Sequence, residues 1–401
     1  RFSYRTSWTY YYNYIVALGA PEAMVGIALA INNIAFALSQ IPGGYLADSI
    51  GRKRLVVLMT WLIALVNFMV AIAPTWHVLL LIAVFDGIVR VYIPALRALL
   101  QDSLSNSIRA RGLILSNLLP SFIAIPAPWI GGYIISSIFT NSVMGYRVVF
   151  LVALALSLVA AILRTKLRET YRSIKTMNLK TIIHELIRSY TQLVHYWNLM
   201  NKKVRKALII SMLIAIAQGI YMPYLIRIAT ARAGFSDMEW GFILSISLII
   251  STLISLLLMP IVDKIERREL VFIGSITLSL GLYLFYNYAS LMILDTIVRM
   301  LYRSLSLYGL VLGLSLMFIG FNMINGGYTS FIIEVTSLGL RGRLMALDNI
   351  VFALGTAIGG FIASLIYTAI YEEILIICLG MTLIYGITSV FLMRKEKLTY
   401  T

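Results

Sequence analysis

Residues Pro42–Arg54 read Pro-Gly-Gly-Tyr-Leu-Ala-Asp-Ser-Ile-Gly-Arg-Lys-Arg and join two long apolar runs through a turn of a few residues. The stretch carries one acid, Asp48, and three bases, Arg52, Lys53 and Arg54. Charges this close together are costly in hydrocarbon. The turn is therefore predicted to lie at a membrane face, with a spanning helix on either side of it.

The composition of the whole chain also indicates a membrane protein. Of its 401 residues, 60% are hydrophobic and 12% are charged, and the mean hydropathy is +0.89. Soluble domains carry roughly 25% charged residues, so an integral membrane protein is expected. The apolar runs have the length of spanning helices, about 20 residues, rather than that of alternating barrel strands, about 10. The predicted fold class is all-α.

Twelve transmembrane helices are predicted, arranged as two pseudo-symmetric six-helix bundles. The expected spans are about 7–20, 25–47, 55–73, 78–100, 112–139, 148–163, 207–231, 240–260, 270–286, 305–333, 344–370 and 374–393. One long connection divides the chain into an N-terminal bundle, 1–163, a central cytoplasmic loop, 164–206, and a C-terminal bundle, 207–401. Apolar residues at helical spacing over 179–197 predict an amphipathic surface helix in that loop. A second, outer interfacial helix is expected over 288–304.

The basic residues indicate the orientation of the chain in the membrane. They lie mainly in alternate connections, namely at 1 and 5, 52–54, 109 and 111, the central loop, 264–268, 341–343 and 394–397. The positive-inside rule assigns such connections to the cytoplasm. We therefore expect a multi-pass protein of the cell membrane with both termini cytoplasmic. The net charge of +16 then reflects this one-sided pattern, and no nucleic-acid partner is expected.

Several classes of activity lack their sequence signals. The chain has a single cysteine, Cys378, and its three histidines, His77, His184 and His195, show no metal-ligand spacing. No phosphate-binding G-x-x-x-x-G-K-[ST] loop is present. We expect no metal, no cofactor and no enzymatic activity, and a monomeric protein. The chain begins at Arg1 rather than at Met, so residues before it are expected to be missing, and no cleavable signal peptide is expected.

The two halves of the chain repeat each other. Asp48-Ser-Ile-Gly-Arg-Lys in the first half corresponds to Asp263-Lys-Ile-Glu-Arg-Arg in the second. Asp102 corresponds likewise to Glu334, and the pair Gly131-Gly132 to Gly359-Gly360. Such a repeat predicts two like-oriented bundles related by an axis along the membrane normal.

The turn after the second span resembles the signature loop of the major facilitator superfamily of secondary transporters. The pattern G-x-L-A-D-x-x-G-R-[RK] is met at Gly44, Leu46, Ala47, Asp48, Gly51, Arg52 and Lys53. The resemblance implies bundles that rock about a midplane cavity by alternating access. It also implies that Asp102 pairs with Arg52, and that Asp48 contacts the start of the eleventh helix to hold the bundles together on the cytoplasmic side. Glu334 with Arg341 or Arg343, and Asp263 with Arg267, would form a weaker second copy.

A second motif lies in the fifth span. Pro128, Gly131 and Gly132 resemble the G-P-x-x-G-G end of the antiporter motif, although Ala127 replaces the first glycine. Proline breaks helix hydrogen bonds and glycine allows helices to approach closely. A bend and a close helix contact are therefore expected here, and the resemblance favours an antiporter.

The fourth span contains the first candidates for coupling. Asp86, Arg90 and Arg97 share one face at 100° per residue. Because each ionised residue near mid-span costs about 2.5–3.5 kcal/mol, such a stripe is expected to face a watery cavity or a partner. Asp86 is the candidate proton carrier and Arg90 its partner, and a structural ion pair is the alternative. The other cavity candidates are polar residues within spans: Tyr10, Asn13, Tyr14, Asn33, Gln218, Tyr221, Asn322 and Asn325.

The predicted function is secondary active transport of a small organic solute, coupled to protons and directed outward as antiport. One alternative is a symporter or uniporter for a sugar or an organic anion, in which Arg90 and Arg97 bind the anion. Another is a non-transporting receptor or a lipid-handling protein on the same fold. Fold alone does not decide among these.

Overall fold

The computed structural model describes residues 1–104, 109–139, 141–170, 197, 200, 202–262, 264–293, 296–336 and 341–393. These residues are mostly helical, and no β-strand occurs among them. The predicted amphipathic helix over 179–197 falls almost wholly outside the described residues. The division into 1–163, 164–206 and 207–401 stays a prediction.

Among the described residues, each half forms helices consistent with six passes, several of them broken into shorter pieces. In the first half the helices are α1 (Phe2–Ser7), α2 (Tyr11–Ala17), α3 (Ala23–Ile50), α4 (Arg52–Ala71), α5 (Trp76–Val89), α6 (Ile93–Asp102), α7 (Arg109–Ile123), α8 (Ala127–Tyr133) and α9 (Ser142–Thr165). In the second half they are α10 (Lys202–Tyr221), α11 (Leu225–Arg227), α12 (Asp237–Val262), α13 (Arg267–Ile293), α14 (Thr296–Glu334), α15 (Arg341–Ile370) and α16 (Ile374–Leu392). Short segments of 3₁₀ or π helix adjoin them at Trp8–Tyr10, Arg90–Tyr92, Ile134–Ile138, Ile228–Arg232 and Tyr371–Glu373.

Length and hydropathy support the predicted all-α membrane fold. Ten stretches of the described residues are long and apolar enough to cross a membrane. The last of them, Leu344–Leu392, contains both α15 and α16. The N-terminal pass falls outside the ten because α1 and α2 are short and separated by a 3₁₀ turn. With that pass added and the last stretch divided, the helices are consistent with the twelve predicted spans.

Two regions depart from a simple series of straight spans. The fifth pass is interrupted where α7 ends at Ile123 and α8 begins at Ala127, next to Pro126 and Pro128, because proline lacks the N–H that a continuous helix needs. The prediction of a separate interfacial helix over 288–304 is wrong. Helix α14 runs without a break from Thr296 to Glu334, and no proline interrupts it.

The two halves meet along two pairs of helices, since α3 packs against α15 and α8 packs against α12. Helix directions alternate, so the connections lie on two faces. We call the face that carries Arg1 and Asp102 the termini face, and the face that carries Glu22 and Asp237 the distal face.

Buried aromatic side chains join the halves near the distal face. Tyr224 and Tyr367 are stacked with ring centroids 3.9 Å apart in the second half. The Tyr224 hydroxyl donates a hydrogen bond to the backbone oxygen of Glu22 at 3.2 Å and accepts one from the N–H of Gly26 at 3.2 Å. A fully buried ring of one half is thus tied to the backbone of the other.

Candidate functional site

A cavity of about 510 Å³ lies between the two halves and is lined by residues of both. We call it the central cavity. Its first-half wall includes Tyr4, Arg5, Trp8, Tyr12, Asn32, Asn33 and Arg90, and its second-half wall includes Gln218, Met222, Trp240, Leu248, Phe318, Asn349 and Phe352. Both halves therefore contribute to one solute-sized space, as a rocking mechanism requires.

The central cavity continues toward the termini face. A second cavity of about 570 Å³ shares Arg5, Gln218 and Phe318 with it. This second cavity extends to Arg1 and to Met259, which lies near the end of α12. A solute in the central cavity therefore has a route to the termini face.

The predicted pair Asp86 and Arg90 lies in the wall beside the central cavity. Asp86 is 4% exposed and forms an ion pair with Arg90. The side-chain amide of Asn32 donates a second hydrogen bond to the same Asp86 oxygen at 3.0 Å. Arg90 lines the central cavity, and both members of the pair line a side cavity of about 320 Å³ inside the first bundle. Arg90 thus stands between the carboxylate and the central cavity.

Aromatic side chains hold the Arg90 guanidinium from the other side. Its central carbon lies 5.1 Å from the ring centroid of Tyr4 and 5.9 Å from that of Trp8. The Tyr4 hydroxyl accepts a hydrogen bond from Arg90 at 3.2 Å. Arg90 begins a 3₁₀ turn, Arg90–Tyr92, that separates α5 from α6. That turn also changes the helical register, and Arg97 is exposed and lines none of these cavities.

A polar network closes the distal side of the central cavity. The Arg227 guanidinium forms an ion pair with Glu22, with its Nε 2.9 Å from a Glu22 oxygen, and donates to the Asn13 side-chain oxygen at 3.1 Å. The Asn13 amide donates to Asp237 at 2.6 Å, and the Tyr146 hydroxyl donates to the other Asp237 oxygen at 2.6 Å. We call these five residues the distal cluster. Every one of these contacts crosses from one half to the other.

The fifth-span motif packs directly against this closure. Tyr10 is fully buried, and its hydroxyl donates to the backbone oxygens of Pro128 and Asp237. A methyl group placed on Gly132 would overlap the Asp237 carbonyl oxygen, and one on Gly131 would overlap that of Thr6. The motif therefore lets α8 approach both α1 and the start of α12 at backbone distance.

The termini face carries two ion pairs at repeat-related positions. Arg52 pairs with Asp102, as the resemblance implies. Arg267 pairs with Glu334, with its Nε at 3.1 Å. This pairing differs from the predicted one, which joined Glu334 to Arg341 or Arg343 and Arg267 to Asp263. Gly51 ends α3 with φ at +96°, a conformation that favours glycine, and the Lys53 N–H donates to Glu169 at 3.0 Å.

Some termini-face predictions lie outside the described residues. Asp263 is not among the described residues. Gly44 is described only by its helical backbone, and the side chains of Asp48, Arg341 and Arg343 are not described. The contact of Asp48 with the eleventh helix stays a prediction.

The remaining predicted cavity residues divide into two groups. Asn33 lines the central cavity, Gln218 lines both the central and second cavities, and Tyr221 and Asn322 line the second. Tyr14 is instead buried within the first bundle, and Asn325 is exposed and lines none of these cavities.

Sequence reasoning missed several residues of the site. Arg5, Trp8 and Tyr12 all line the central cavity and share a helical spacing. Trp8 and Tyr12 lie within the predicted first span, and Arg5 would have joined them if that span had been predicted to begin earlier. Glu22 and Asp237 carry no such signal, because each lies at the end of a helix where charge is common. Among the described residues, no group of His, Cys, Asp and Glu side chains is arranged to bind a metal ion.

Comparison with known proteins places the chain among membrane transporters. The family model of the Major Facilitator Superfamily matches residues 1–200 and 207–400. The multidrug resistance protein MdtL of Shewanella sp. (strain ANA-3) is 32% identical over 139 residues, which cover 33% of this chain and 35% of MdtL. The match therefore spans about a third of the length of that curated relative.

Solved structures share the fold over nearly the whole chain. A D-xylose–proton symporter has a TM-score of 0.72 at 15% identity, covering 97% of this chain and 94% of its own. The nucleoside transporter NupG has a TM-score of 0.69 at 15% identity, covering 98% of this chain and 96% of its own. At these identities the likeness shows the fold alone.

Proposed function

Since the chain belongs to the major facilitator superfamily of secondary transporters, we propose that it moves a small organic solute across the cell membrane by alternating access. We further propose that the solute is exported in exchange for protons. The central cavity is the observation that carries this proposal. Its volume of about 510 Å³ lies within the range of small-molecule sites, about 300–1,000 Å³.

The distal cluster supports the alternating-access part of the proposal. It joins the two halves on one side of the cavity, while the second cavity leads to the other side. The one-sided distribution of bases favours a cytoplasmic termini face. On that orientation the structure represents the state that receives solute from the cytoplasm.

The Asp86–Arg90 pair supports the coupling part. Asp86 is a buried carboxylate whose charge is balanced by one guanidinium, and that guanidinium also lines the central cavity. A proton on Asp86 would release Arg90, and movement of Arg90 would in turn favour protonation of Asp86. The partial likeness to MdtL and the fifth-span motif support export rather than uptake.

The test is the direction of proton movement during transport. Purified protein would be reconstituted into liposomes with an acidic lumen and an internal pH-sensitive dye, and candidate solutes would be added outside. Antiport predicts that a transported solute raises the luminal pH as protons leave. Empty liposomes measure the passive leak. Proton movement in the same direction as the solute, or solute flux without any proton movement, would contradict proton-coupled antiport.

A further inference from the structure

We propose that the transported solute is an organic anion with one carboxylate or sulfonate group and an aromatic or otherwise apolar body. This inference rests on the proposed function and names the substrate class of the same cavity. Arg5 is the residue that would receive the negative charge. Arg5 lies in α1 of the first pass, whereas the charged residues predicted to face the cavity lie in the fourth span.

Arg5 occupies the junction of all three cavities. It lines the central cavity, the second cavity toward the termini face and the side cavity inside the first bundle. Its side chain is half-buried, and no described residue forms an ion pair or a side-chain hydrogen bond with it. A half-buried guanidinium without a counter-ion is costly. An anionic solute would supply the missing charge.

The charges around Arg5 favour an anion over a cation. Among the described residues, no aspartate or glutamate lines the central or the second cavity. The side cavity brings together Arg1, Arg5, Arg90 and Arg164 with the single carboxylate of Asp86. Asp86 pairs with Arg90, so Arg5 and Arg164 add positive charge that would repel a cationic solute.

The opposite wall suits an apolar body. Met222, Leu248, Phe318 and Phe352 face the cavity from the second half. Trp8 lies one helical turn from Arg5 and lines the same cavity. An aromatic ring on this wall would leave its acid group within reach of Arg5. A sugar would require more polar partners than this wall offers.

The first measurement compares two probes that share a ring system and differ in charge, 2-naphthoate and 2-naphthylmethylammonium. Binding to the purified full chain would be followed by equilibrium dialysis at low salt. We expect 2-naphthoate to bind about tenfold or more tightly than the amine, and Arg5→Gln to remove that preference. Lys166→Gln is the matched control, because Lys166 is an exposed base of the same half that lines none of the three cavities. Equal binding of the probes, tighter binding of the amine, or an unchanged preference in Arg5→Gln would overturn the proposal.

The second measurement decides the case in which neither naphthyl probe fits. In a Cys378→Ala background, Thr9→Cys places a thiol in the lining of the central cavity, and Lys166→Cys places one on the surface. Each would be modified with anionic and cationic methanethiosulfonate reagents of similar size. We expect the anionic-to-cationic rate ratio to be several-fold higher at position 9 than at position 166, and Arg5→Gln to reduce it. A ratio at position 9 no higher than at the surface would overturn the proposal.

Neither measurement depends on transport. A protein that binds organic anions but shows no proton-linked flux in liposomes would contradict the proposed function, while the binding of organic anions at Arg5 would still hold. A protein that exports only cationic solutes in exchange for protons would support the proposed function and contradict the anionic substrate class.

Discussion

At the scale of single residues, the buried pair Asp86–Arg90 is the feature most suited to coupling. Asp86 is shielded from the central cavity by Arg90, and Arg90 is held by Tyr4 and Trp8. Asn32 keeps the carboxylate oriented through a hydrogen bond of 3.0 Å. Movement of Arg90 would open this carboxylate to the central cavity. A conformational change that moves Arg90 would therefore link protonation to transport.

Replacing the Asp86 carboxylate should separate proton coupling from solute movement. Asp86→Asn keeps the shape of the side chain but cannot bind and release a proton. We expect it to abolish proton-driven uptake into inside-out vesicles while solute-for-solute exchange remains measurable. Glu373→Gln, an exposed acid at the distal face, should leave both activities unchanged. A pH dependence of transport like that of the wild type in Asp86→Asn would return the pair to a structural role.

At the scale of helices, the fifth pass shows how a sequence motif shapes an interface. The interruption between α7 and α8 sets the direction of α8, and two glycines allow it to contact α1 and the start of α12. The contact involves backbone atoms on both sides, so it cannot relax by a change of rotamer. Any side chain added there must displace a helix.

A methyl group at this interface should destabilise the structure. Gly132→Ala would overlap the Asp237 carbonyl oxygen, and an overpacked site of this kind typically costs about 1–3 kcal/mol. We expect a lower melting temperature in detergent and increased labelling of cysteines placed at the distal face. Gly326→Ala is the matched control, because no atom lies within 4 Å of the added methyl group. An unchanged melting temperature and unchanged labelling of Gly132→Ala would show that α8 and α12 do not meet as described.

At the scale of the whole molecule, the two halves are locked on one side and separated by cavities on the other. Arg227 and Glu22 are largely shielded, with side chains 11% and 26% exposed. Their ion pair is continued by Asn13, Asp237 and Tyr146. Opening of the distal face must break all of these contacts together, which favours two discrete states over a continuum.

Breaking one member of the distal cluster should shift the balance of states. Glu22→Gln removes the charge that Arg227 pairs with, and we expect the distal-open population to rise about tenfold for each 1.4 kcal/mol lost. Spin labels on α2 and α11 would report the change as a longer distance. Arg303→Gln is the control, since Arg303 pairs with Glu239 at 2.7 Å within the second half only. Identical distance distributions in Glu22→Gln and the wild type would contradict the locking role.

The orientation of the molecule in the membrane can be tested on a single helix. Ser142 and Lys166 are both exposed at opposite ends of α9. In a Cys378→Ala background, a cysteine at position 142 should react with an impermeant maleimide in intact cells, and one at position 166 only after permeabilisation. The reverse pattern would place the termini outside.

The sequence by itself determined the features that depend on local composition or on short repeats. Apolar runs predicted the helices, the internal repeat predicted two bundles, and the signature loop led to the Arg52–Asp102 pair. The pairing of Arg267 with Glu334 was not predicted. Hydropathy, however, reports only whether a residue is apolar, and helical periodicity reports only which residues share a face. Neither identifies the helices that touch.

The tertiary structure therefore decided the contacts between distant residues. Glu22 and Arg227 are 205 positions apart, and no pattern within either span indicates that they meet. A 3₁₀ turn separates Arg97 from the face of Asp86 and Arg90. Arg5, which the pattern of bases assigned to a membrane surface, lies at the junction of three cavities. For Glu22, Arg227 and Arg5 the physical reason is the packing of one half against the other, which sets the groups that each side chain faces. For Arg97 it is a local break in the helix.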